Sequence, residues 1–351
     1  MAPVTNGRVI LNAYAEGFPE PGKTIIYDDA SIIDLDNVPL EGGVLIKTLE
    51  LSVDPYFRNR MNPPPPPGQG TANGFTLGQP LHGGGVAVVL RSEDDRLKAG
   101  DKFFESFSLP HQHYSILKGS QLNGVEILKN PHNIPWSAFT GVLGMPGLSA
   151  YAGWKEHSKA KEGEVAFVTS GAGPVGSLVV QLAKIEGLKV IASAGSEEKL
   201  QFMRDLGADV VFNYKTTDTK EVLAKEGPID IYWDNVGGET LDAALINANI
   251  NARFIECGMI SGYNNGHSKG IKNIYQVVAR QISMNGFFVG RLGDKYRKEF
   301  LDFIEPKIAN GEIKYAEDRF IGLEKVGEAI AQVQRGLVKA KAVVHVASEN
   351  I

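Results

Sequence analysis

Val165-Ala166-Phe167-Val168-Thr169-Ser170 runs directly into Gly171-Ala172-Gly173-Pro174-Val175-Gly176, and this stretch decides the fold. The apolar run has the length of a strand, and the apolar residues that follow the glycines recur at helical spacing. The first glycine permits a tight turn, the second lets the backbone approach a pyrophosphate, and the third lets the helix pack on the strand. The helix N-terminus offers N–H groups and its positive dipole end to phosphates. With Lys189-Val190-Ile191-Ala192-Ser193 as a second strand, the pattern predicts a βαβ unit that binds a dinucleotide.

The end of the second strand indicates which dinucleotide binds. An NAD site usually places Asp or Glu there to accept hydrogen bonds from the ribose 2′-hydroxyl. Ala194-Gly195-Ser196 has no acid, and the carboxylates of Glu197 and Glu198 fall in the first turn of a helix that Ser196 would cap. Lys199 in the same turn is a cation near a helix N-terminus, where a 2′-phosphate would stabilise it. The sequence therefore favours NADP(H) over NAD(H), although a solvated surface lysine would give the same pattern.

Length and composition indicate a globular protein of two domains. The chain has 351 residues, of which 43% are hydrophobic, enough for substantial cores. The formal net charge of −5 argues against nucleic acid or an anionic membrane as the main partner, and no apolar run approaches the length of a membrane span. Cys257 is the single cysteine, so it forms no intrachain disulfide and suits a reducing compartment. Because the N-terminus also lacks a secretory pattern, we expect a cytoplasmic protein.

The order of strand and helix patterns divides the chain into three parts. Up to residue 137, short alternating or glycine-bounded strands dominate, and from residue 138 strand and helix patterns alternate as in a parallel sheet covered on both faces. Six strands are predicted there: Val165–Thr169, Val190–Ser193, Val210–Asn213, Ile229–Trp233, Phe254–Cys257 and Ser283–Val289. We expect a nucleotide-binding domain over 138–312, inserted between residues 1–137 and a tail over 313–351 that returns to the first domain. That tail carries a predicted helix over Leu323–Arg335 and a final strand over Ala342–Val346.

One segment is of low complexity. Pro63 to Pro67, five consecutive prolines, predict an extended polyproline II segment that cannot join a sheet interior. It would form either a loop that covers the substrate or a solvent-facing connector, and the sequence leaves both open.

Four strings outside the glycine turn carry a resemblance to a known family. They are Ser52-Val53-Asp54-Pro55-Tyr56-Phe57-Arg58, Leu143-Gly144-Met145-Pro146-Gly147-Leu148-Ser149-Ala150-Tyr151, Asp234-Asn235-Val236-Gly237-Gly238-Glu239 and Cys257-Gly258-Met259-Ile260-Ser261. Together they resemble the zinc-independent medium-chain dehydrogenase/reductases, and within these the branch of prostaglandin reductase (leukotriene B4 12-hydroxydehydrogenase) and alkenal double-bond reductases. The resemblance covers nearly the whole chain. It implies an α/β fold in which a doubly wound Rossmann sheet is inserted into a GroES-like β-barrel domain, with NADPH as the cofactor. It also implies a homodimer joined at the sheet edges, with which an apolar last strand over Met284–Val289 is compatible.

The resemblance also implies a cofactor site. Lys199 and Tyr214 would contact the 2′-phosphate, Gly173 to Gly176 the pyrophosphate, and Asn235 the adjoining cofactor backbone, while residues 257–263 and 287–289 would run along the nicotinamide side. The full set is Pro55, Ser149, Gly171, Gly173, Pro174, Val175, Gly176, Lys199, Tyr214, Asn235, Cys257, Gly258, Ile260, Tyr263, Phe287, Phe288 and Val289. One departure concerns a Gly-x-Asn-x-Gly-Lys turn that is frequent in the family. This chain has Val338 at the Asn position, so a side-chain hydrogen bond from there to the cofactor is impossible.

The residues present disfavour zinc-dependent alcohol oxidation. One cysteine cannot supply the cysteine cluster of zinc-dependent relatives, and Pro80-Leu81-His82 replaces the Gly-His-Glu string of their catalytic site. His111 and His113 are close in sequence but have no third donor nearby, so each is interpreted as a surface or hydrogen-bonded histidine. We predict no metal site.

Without a metal ion, hydrogen-bond donors must polarise the substrate carbonyl. Hydride delivery to the β-carbon of an enone or enal places negative charge on the carbonyl oxygen as an enolate. Tyr56 and Tyr263 are the predicted catalytic and substrate-binding donors, because the resemblance implies that their motifs face the nicotinamide. A phenol with a pKa of about 10 is protonated at neutral pH and can donate. Either one, or water, would pass a proton to the α-carbon. Arg58 would bind a substrate carboxylate or pair with an acid such as Asp54, and both tyrosines could instead only pack or bind ribose.

The sequence therefore predicts an NADPH-dependent reductase of the carbon–carbon double bond in α,β-unsaturated ketones or aldehydes. Two alternatives stay open: quinone reduction on the same scaffold, and a redox sensor that binds NADPH without turnover. The natural substrate does not follow from the sequence, because the loops that would shape the pocket have no derivable conformation.

Overall fold

A computed structural model describes residues 2–65, 74–266 and 270–349, which form two compact units. The first unit comprises Met1–Gly144, Glu317–Val338 and Ala342–Ile351, and the second comprises Met145–Ala316 and Lys339–Lys341. The second unit is therefore an insertion in the first. The boundaries expected from sequence, 137/138 and 312/313, precede those of the structure by a few residues because the second unit begins with a helix at Met145. Pro66 and Pro67 of the proline segment lie outside the described residues.

The strands are numbered in chain order over the described residues. They are β1 (Val4–Thr5), β2 (Arg8–Leu11), β3 (Ile25–Asp28), β4 (Ile32–Ile33), β5 (Val44–Ser52), β6 (His82–Ser92), β7 (Lys102–Pro110), β8 (Tyr114–Leu117), β9 (Glu126–Ile127), β10 (Val165–Val168), β11 (Lys189–Ala194), β12 (Val210–Asn213), β13 (Ile229–Asp234), β14 (Ala248–Glu256), β15 (Ser283–Gly286), β16 (Glu317–Ile321) and β17 (Lys341–His345).

The helices are numbered in the same way. They are α1 (Phe57–Arg60), α2 (Met145–His157), α3 (Pro174–Ile185), α4 (Glu197–Asp205), α5 (Thr219–Glu226), α6 (Gly238–Ile246), α7 (Ile260–Tyr263), α8 (Gln276–Ala279), α9 (Val289–Ala309) and α10 (Val326–Gln334), with 3₁₀ turns at Gly119–Leu122, Trp136–Thr140 and Leu323–Lys325. In the part of the chain that the structure describes, no helix is both long enough and apolar enough to span a membrane.

The second unit is built on a parallel six-stranded sheet. Its strand order is β12-β11-β10-β13-β14-β15, which is the 3-2-1-4-5-6 order of a doubly wound dinucleotide-binding sheet. Phe167, Tyr232 and Phe254 pack side by side in its core, with ring centroids 5.4 and 5.0 Å apart. The predicted fold class is confirmed. The strand order reverses between β10 and β13, so the ligand crevice of such a sheet lies beyond the carboxyl ends of these two strands.

The first unit holds a separate antiparallel sheet. Its order is β16-β17-β5-β6-β7-β9, and β8 also pairs with β5. The tail returns to this unit because β17 pairs with β5 along its length, with Val343 opposite Ser52. Alternate residues of β5 and β6, together with α10, fill the core of the unit.

The structure corrects the last predicted strand. A strand over Ser283–Val289 is expected from the sequence, but β15 ends at Gly286, Phe288 takes extended backbone geometry before a helix, and α9 begins at Val289. The glycines in the first turns of α9 weaken the helical pattern there. Gly293 lets α9 pack closely on α2, because a Cβ on it would lie 2.9 Å from the end of the Leu148 side chain. Of the predicted strand over Met284–Val289, only Met284–Gly286 is strand, and it supplies a shorter sheet edge than expected.

Candidate active site

The glycine turn after β10 forms a tight cradle. Ser170 adopts a left-handed backbone with φ of 51°, and Gly173 donates its N–H to the Ser170 carbonyl at 2.9 Å. A Cβ on Gly171 would lie 2.6 Å from the sulfur of Met203, and one on Gly176 would lie 2.4 Å from the Ser170 carbonyl oxygen. Packing therefore demands glycine at positions 171 and 176, as the dinucleotide motif requires. We call residues 170–176 the glycine cradle.

The cradle opens onto the N-terminus of α3. Gly173 is the N-cap, Pro174 is the first helical residue, and no side chain among the described residues caps this end. The N–H groups of Val175 and Gly176 in the first turn have no partner within the helix. With the positive end of the helix dipole, they suit a doubly charged pyrophosphate. The residues of the cradle fit the phosphates of a dinucleotide.

A second polar cluster follows β11. A Cβ on Gly195 would lie 2.9 Å from Lys215 Cε and 3.1 Å from the Tyr214 hydroxyl, so both side chains cover this backbone. Ser196 takes the N-cap position of α4 as predicted, but its hydroxyl makes no cap hydrogen bond. Lys199 lies in the first turn of the same helix. Two ammonium groups and a phenol beside a helix N-terminus fit a 2′-phosphate. Sequence reasoning missed Lys215, although it directly follows Tyr214.

The two carboxylates near this cluster already face cations. Glu197 pairs with Arg204 at 2.9 Å, and Glu198 pairs with Lys339 at 2.6 Å. Both lie in the first turn of α4, as the sequence predicts, and neither is the acid at a strand end that an NAD ribose requires. The geometry therefore agrees with a phosphorylated ribose.

The loops after β13 and β14 join the glycine cradle through hydrogen bonds. Asn235 donates its backbone N–H to Thr169 Oγ1 at 2.8 Å and its Nδ2 to the Thr169 carbonyl at 2.7 Å. The Asp234 carbonyl accepts the N–H groups of Cys257 and Gly258 at 3.0 and 3.1 Å. Three of the predicted cofactor segments thus meet at one edge of the sheet, beside the place where the strand order reverses.

Tyr263 closes the loop after β14. Its hydroxyl accepts the N–H of Met259 at 3.4 Å and lies 3.1 Å from the position of a Cβ on Gly258. Ile260 donates its N–H to the Asn235 carbonyl at 3.2 Å, which ties this loop to the one after β13. Burial raises the pKa of Tyr263, so the phenol is protonated at neutral pH. Its role as a donor to substrate stays a prediction.

Other predicted cofactor residues use their side chains for packing. Ser149 donates its hydroxyl to the Met145 carbonyl at 2.8 Å within α2. The Phe287 ring packs on Trp233, with centroids 5.9 Å apart, and fills the space that a Cβ on Gly153 would need. Phe288 is 60% exposed, and Val289 is buried at the start of α9. A contact of these residues with the cofactor stays a prediction.

In the first unit, Tyr56 follows β5 and precedes α1. Its hydroxyl is buried and has no acceptor among the described residues. Burial is the main cause that raises the pKa of Tyr56, the negative charges of Asp54 and Glu105 add to it, and the Arg60 guanidinium opposes it. The phenol therefore keeps its proton across the physiological range. The Pro55 carbonyl, predicted to face the cofactor, accepts Nε2 of Gln334 at 2.9 Å.

Arg58 has a structural role that the sequence did not predict. Its guanidinium is buried and donates to the carbonyls of Gly17 at 2.7 Å and Ala15 at 3.0 Å and to Asn62 Oδ1 at 2.6 Å. These bonds use three of the five N–H donors of the guanidinium. Arg58 thus holds the preceding chain in place, and its substrate-binding role stays a prediction.

Comparison with known proteins agrees with this arrangement. Residues 174–306 match the family described as zinc-binding dehydrogenase, and residues 9–125 match the N-terminal domain of oxidoreductase. The chain is 37% identical over 359 residues to the 2-alkenal reductase (NADP(+)-dependent) of Nicotiana tabacum, with 99% of each chain covered. It is 38% identical over 346 residues to the NADP-dependent oxidoreductase RED1 of Cochliobolus heterostrophus, with 95% of this chain and 96% of the relative covered.

A solved structure shows the same likeness in three dimensions. The crystal structure of CurA in complex with NADPH from Vibrio vulnificus matches with a TM-score of 0.86 and 30% identity, covering 97% of this chain and 99% of that one. The chain belongs to the medium-chain dehydrogenase/reductase family. The resemblance to its alkenal double-bond reductase branch, which the sequence motifs carry, is confirmed.

In this medium-chain dehydrogenase/reductase, the histidines considered as metal ligands from the sequence, His82, His111 and His113, lie in the first unit. Among the described residues, no group of three or more His, Cys, Asp or Glu side chains could hold a metal ion. His82 bonds to Arg60, and burial lowers its pKa to about 4. His111 is fully buried, burial lowers its pKa to about 3, and neither ring nitrogen has a partner among the described residues. The interpretation of His111 as a surface or hydrogen-bonded histidine is therefore wrong.

Packing explains why Val338 stands where relatives often have Asn. Val338 lies against the hydrophobic core of the first unit, where an Asn side chain would be desolvated. The next residue, Lys339, pairs with Glu198 at the start of α4. The turn thus supplies a cation near the second polar cluster in place of the amide that relatives often carry.

Proposed function

We propose that the protein reduces the carbon–carbon double bond of α,β-unsaturated ketones and aldehydes with NADPH. The observation that carries the proposal is the likeness, over 99% of both chains, to a relative named as an NADP(+)-dependent 2-alkenal reductase. The protein is an NADP-dependent oxidoreductase, and three features support this cofactor: the glycine cradle, the cluster of Lys199, Tyr214 and Lys215, and the paired carboxylates of α4.

The protein's own side chains would stabilise the negative charge on the substrate oxygen and supply the proton for its α-carbon. Bound NADPH would supply a hydride to the β-carbon of the substrate. The negative charge that then develops on the carbonyl oxygen needs a preorganised donor, which is commonly worth 10²–10³ in rate. Tyr56 suits this role because its O–H is protonated, buried and without an acceptor in the described residues. Tyr263 is the second candidate, and either phenol or water would supply the proton to the α-carbon.

The test compares substrates and identifies the product. Purified protein is mixed with NADPH and either 4-phenyl-3-buten-2-one or a simple quinone, and NADPH consumption is followed. We expect faster consumption with the enone and a saturated ketone as the only product. An allylic alcohol as product would refute the proposal. Preference for the quinone would favour quinone reduction, and tight NADPH binding with no oxidation across an enone panel would favour a redox sensor.

We further propose a cytoplasmic homodimer. β15 is an edge strand of the parallel sheet within the described residues, so its outer backbone groups can pair with a second copy. The single cysteine suits a reducing compartment. Light scattering on the eluted protein gives the mass in solution, and a monomer at micromolar concentration would contradict the dimer. Cell fractionation tests the compartment.

A further inference from the structure

Two carboxyl groups lie side by side at the carboxyl edge of the parallel sheet. Asp234 ends β13, Glu256 ends β14, and these two residues are partners in the register of the parallel pair. Side chains of register partners point to the same face of a sheet. Asp234 is completely buried, and both carboxyl oxygens of Glu256 are buried as well. The two side chains are within hydrogen-bonding reach of each other.

No cation balances this pair. Across the described residues, neither carboxyl forms an ion pair with Lys, Arg or His, and both Glu256 oxygens receive no N–H donor. Besides Glu256, the Tyr232 hydroxyl is within hydrogen-bonding reach of the Asp234 side chain. Two adjacent carboxylates cannot both stay ionised in a buried site. They can form a hydrogen bond only when one of them holds a proton.

The neighbouring bonds decide which carboxyl is ionised. Asp234 Oδ1 accepts the N–H groups of Val236 and Gly237, both at 2.8 Å, and lies 3.4 Å from Thr169 Oγ1. These donors stabilise a charge on Asp234, whereas Glu256 accepts nothing. Burial and the adjacent Asp234 carboxylate raise the pKa of Glu256 to about 9. The proton of the pair therefore belongs on Glu256.

The loops that Asp234 holds are those of the candidate active site. Its side chain fixes the turn that follows β13, and its carbonyl accepts the N–H groups of Cys257 and Gly258 from the loop after β14. Asn235 then links this turn to Thr169 beside the glycine cradle. One aspartate thus organises three loops, and its side chain also lies beside the Glu256 carboxyl and the Tyr232 hydroxyl.

We propose that Glu256 is a positioning residue that works as a neutral carboxylic acid: its O–H donates to Asp234 Oδ2 and so keeps the three cofactor loops in register. The effect on NADPH binding rests on the proposed function, whereas the effect on stability does not. Loss of this proton at alkaline pH leaves two adjacent anions, which drives the loops apart and weakens NADPH binding.

The other titratable groups that face the pair are neutral acids. Tyr232 lies on β13 near Asp234, Cys257 follows Glu256, and Tyr263 comes from α7. Burial raises the pKa of each, that of Cys257 to about 12, so all three keep their protons while Glu256 titrates. A transition near pH 9 therefore belongs to the carboxyl pair.

The first experiment measures stability without cofactor. Wild type, Glu256→Gln and the exposed control Glu221→Gln on α5 are melted between pH 5 and pH 9.5. A carboxyl whose folded pKa exceeds its unfolded value of about 4.3 makes the folded state bind more protons, so stability falls as pH rises through this window. Glutamine keeps a donor to Asp234 and cannot ionise. We expect the melting temperature of Glu256→Gln to rise relative to wild type and to Glu221→Gln as pH increases.

The second experiment measures the dissociation constant of NADPH for the same three proteins at pH 7 to pH 10. We expect a rise of about tenfold or more in wild type and Glu221→Gln above pH 9, and a smaller rise in Glu256→Gln. If NADPH binds to no variant at any pH, the proposed function fails, and the melting curves still decide the role of Glu256.

A direct measurement covers the case in which Glu256→Gln does not fold. In wild type labelled with carbon-13 at glutamate side-chain carboxyls, one resonance should be that of a protonated acid at pH 7 and should move near pH 9. Parallel melting curves for wild type and Glu256→Gln overturn the proposal. So does a spectrum in which every glutamate is ionised at pH 7.

Discussion

The closest packing in the glycine cradle gives a sharp prediction for Gly176→Ala. The added methyl group would lie 2.4 Å from the Ser170 carbonyl oxygen and 2.9 Å from Gly171 Cα, whereas ordinary contacts begin at 3.4 Å. The gap must open by about 1 Å, and only backbone is available to move. Overpacking of this kind costs about 1–3 kcal/mol of unfolding free energy.

The same movement displaces the amides that would hold the pyrophosphate. A hydrogen bond lengthened by about 1 Å is lost, and a bond to a charged group contributes about 1.5–3 kcal/mol. Loss of one such bond raises the dissociation constant of NADPH roughly 10- to 150-fold. The melting temperature should fall by about 2–4 °C for each kcal/mol lost in a domain of this size.

Calorimetric titration with NADPH and thermal melting check both numbers. Gly327→Ala in α10 is the matched control, because its methyl group would lie at an ordinary 3.5 Å from Ile25. In a helix interior this exchange stabilises by up to about 1 kcal/mol, and NADPH affinity should not change. If Gly176→Ala binds NADPH as tightly as the control and melts at the wild-type temperature, the argument from close packing is wrong.

Three further substitutions separate the roles of single side chains. Tyr56→Phe should lower kcat for an enone roughly 10²- to 10³-fold. NADPH affinity and melting temperature should stay at or above wild-type values, because the lost hydroxyl has no acceptor in the described structure. An unchanged kcat would exclude Tyr56 as the donor. Lys199→Ala and Lys215→Ala should each weaken NADPH binding about tenfold or more and leave NADH binding unchanged, as titration with both cofactors shows; equal losses for the two cofactors would place the lysines away from the 2′-phosphate. Arg58→Ala should lower the melting temperature, because it removes three hydrogen bonds, one of them to the buried Ala15 carbonyl, without raising KM for an enone that bears a carboxylate relative to one that does not. A selective rise in that KM would support the substrate-binding role.

The sequence is sufficient where local rules decide the structure. The apolar run before Gly171 and the helical spacing after Gly176 predict the βαβ unit, because strand, turn and helix are contiguous. The predictions that fail concern residues whose surroundings come from distant parts of the sequence. Arg58 is expected to bind a substrate carboxylate or pair with an acid, yet it donates to Asn62 and to the carbonyls of Gly17 and Ala15, which lie more than 40 residues earlier in the chain. His111 is interpreted as a surface or hydrogen-bonded histidine, yet it is completely buried and its ring nitrogens have no partner among the described residues.

The acidic residues show most clearly why the rest of the candidate site cannot be predicted from sequence patterns. Glu197 and Glu198 lie in the first turn of α4, where the helix dipole stabilises carboxylates. The N-cap serine before them lets this position be predicted from the sequence. Asp234 and Glu256 are separated by a helix and a strand, and only the register of β13 with β14 brings them together. A shift of that register by one residue would turn Glu256 to the opposite face of the sheet. Its protonation is therefore a property of the tertiary structure, and alkaline pH should act on the active-site loops through this pair before it acts on Tyr232 or Tyr263.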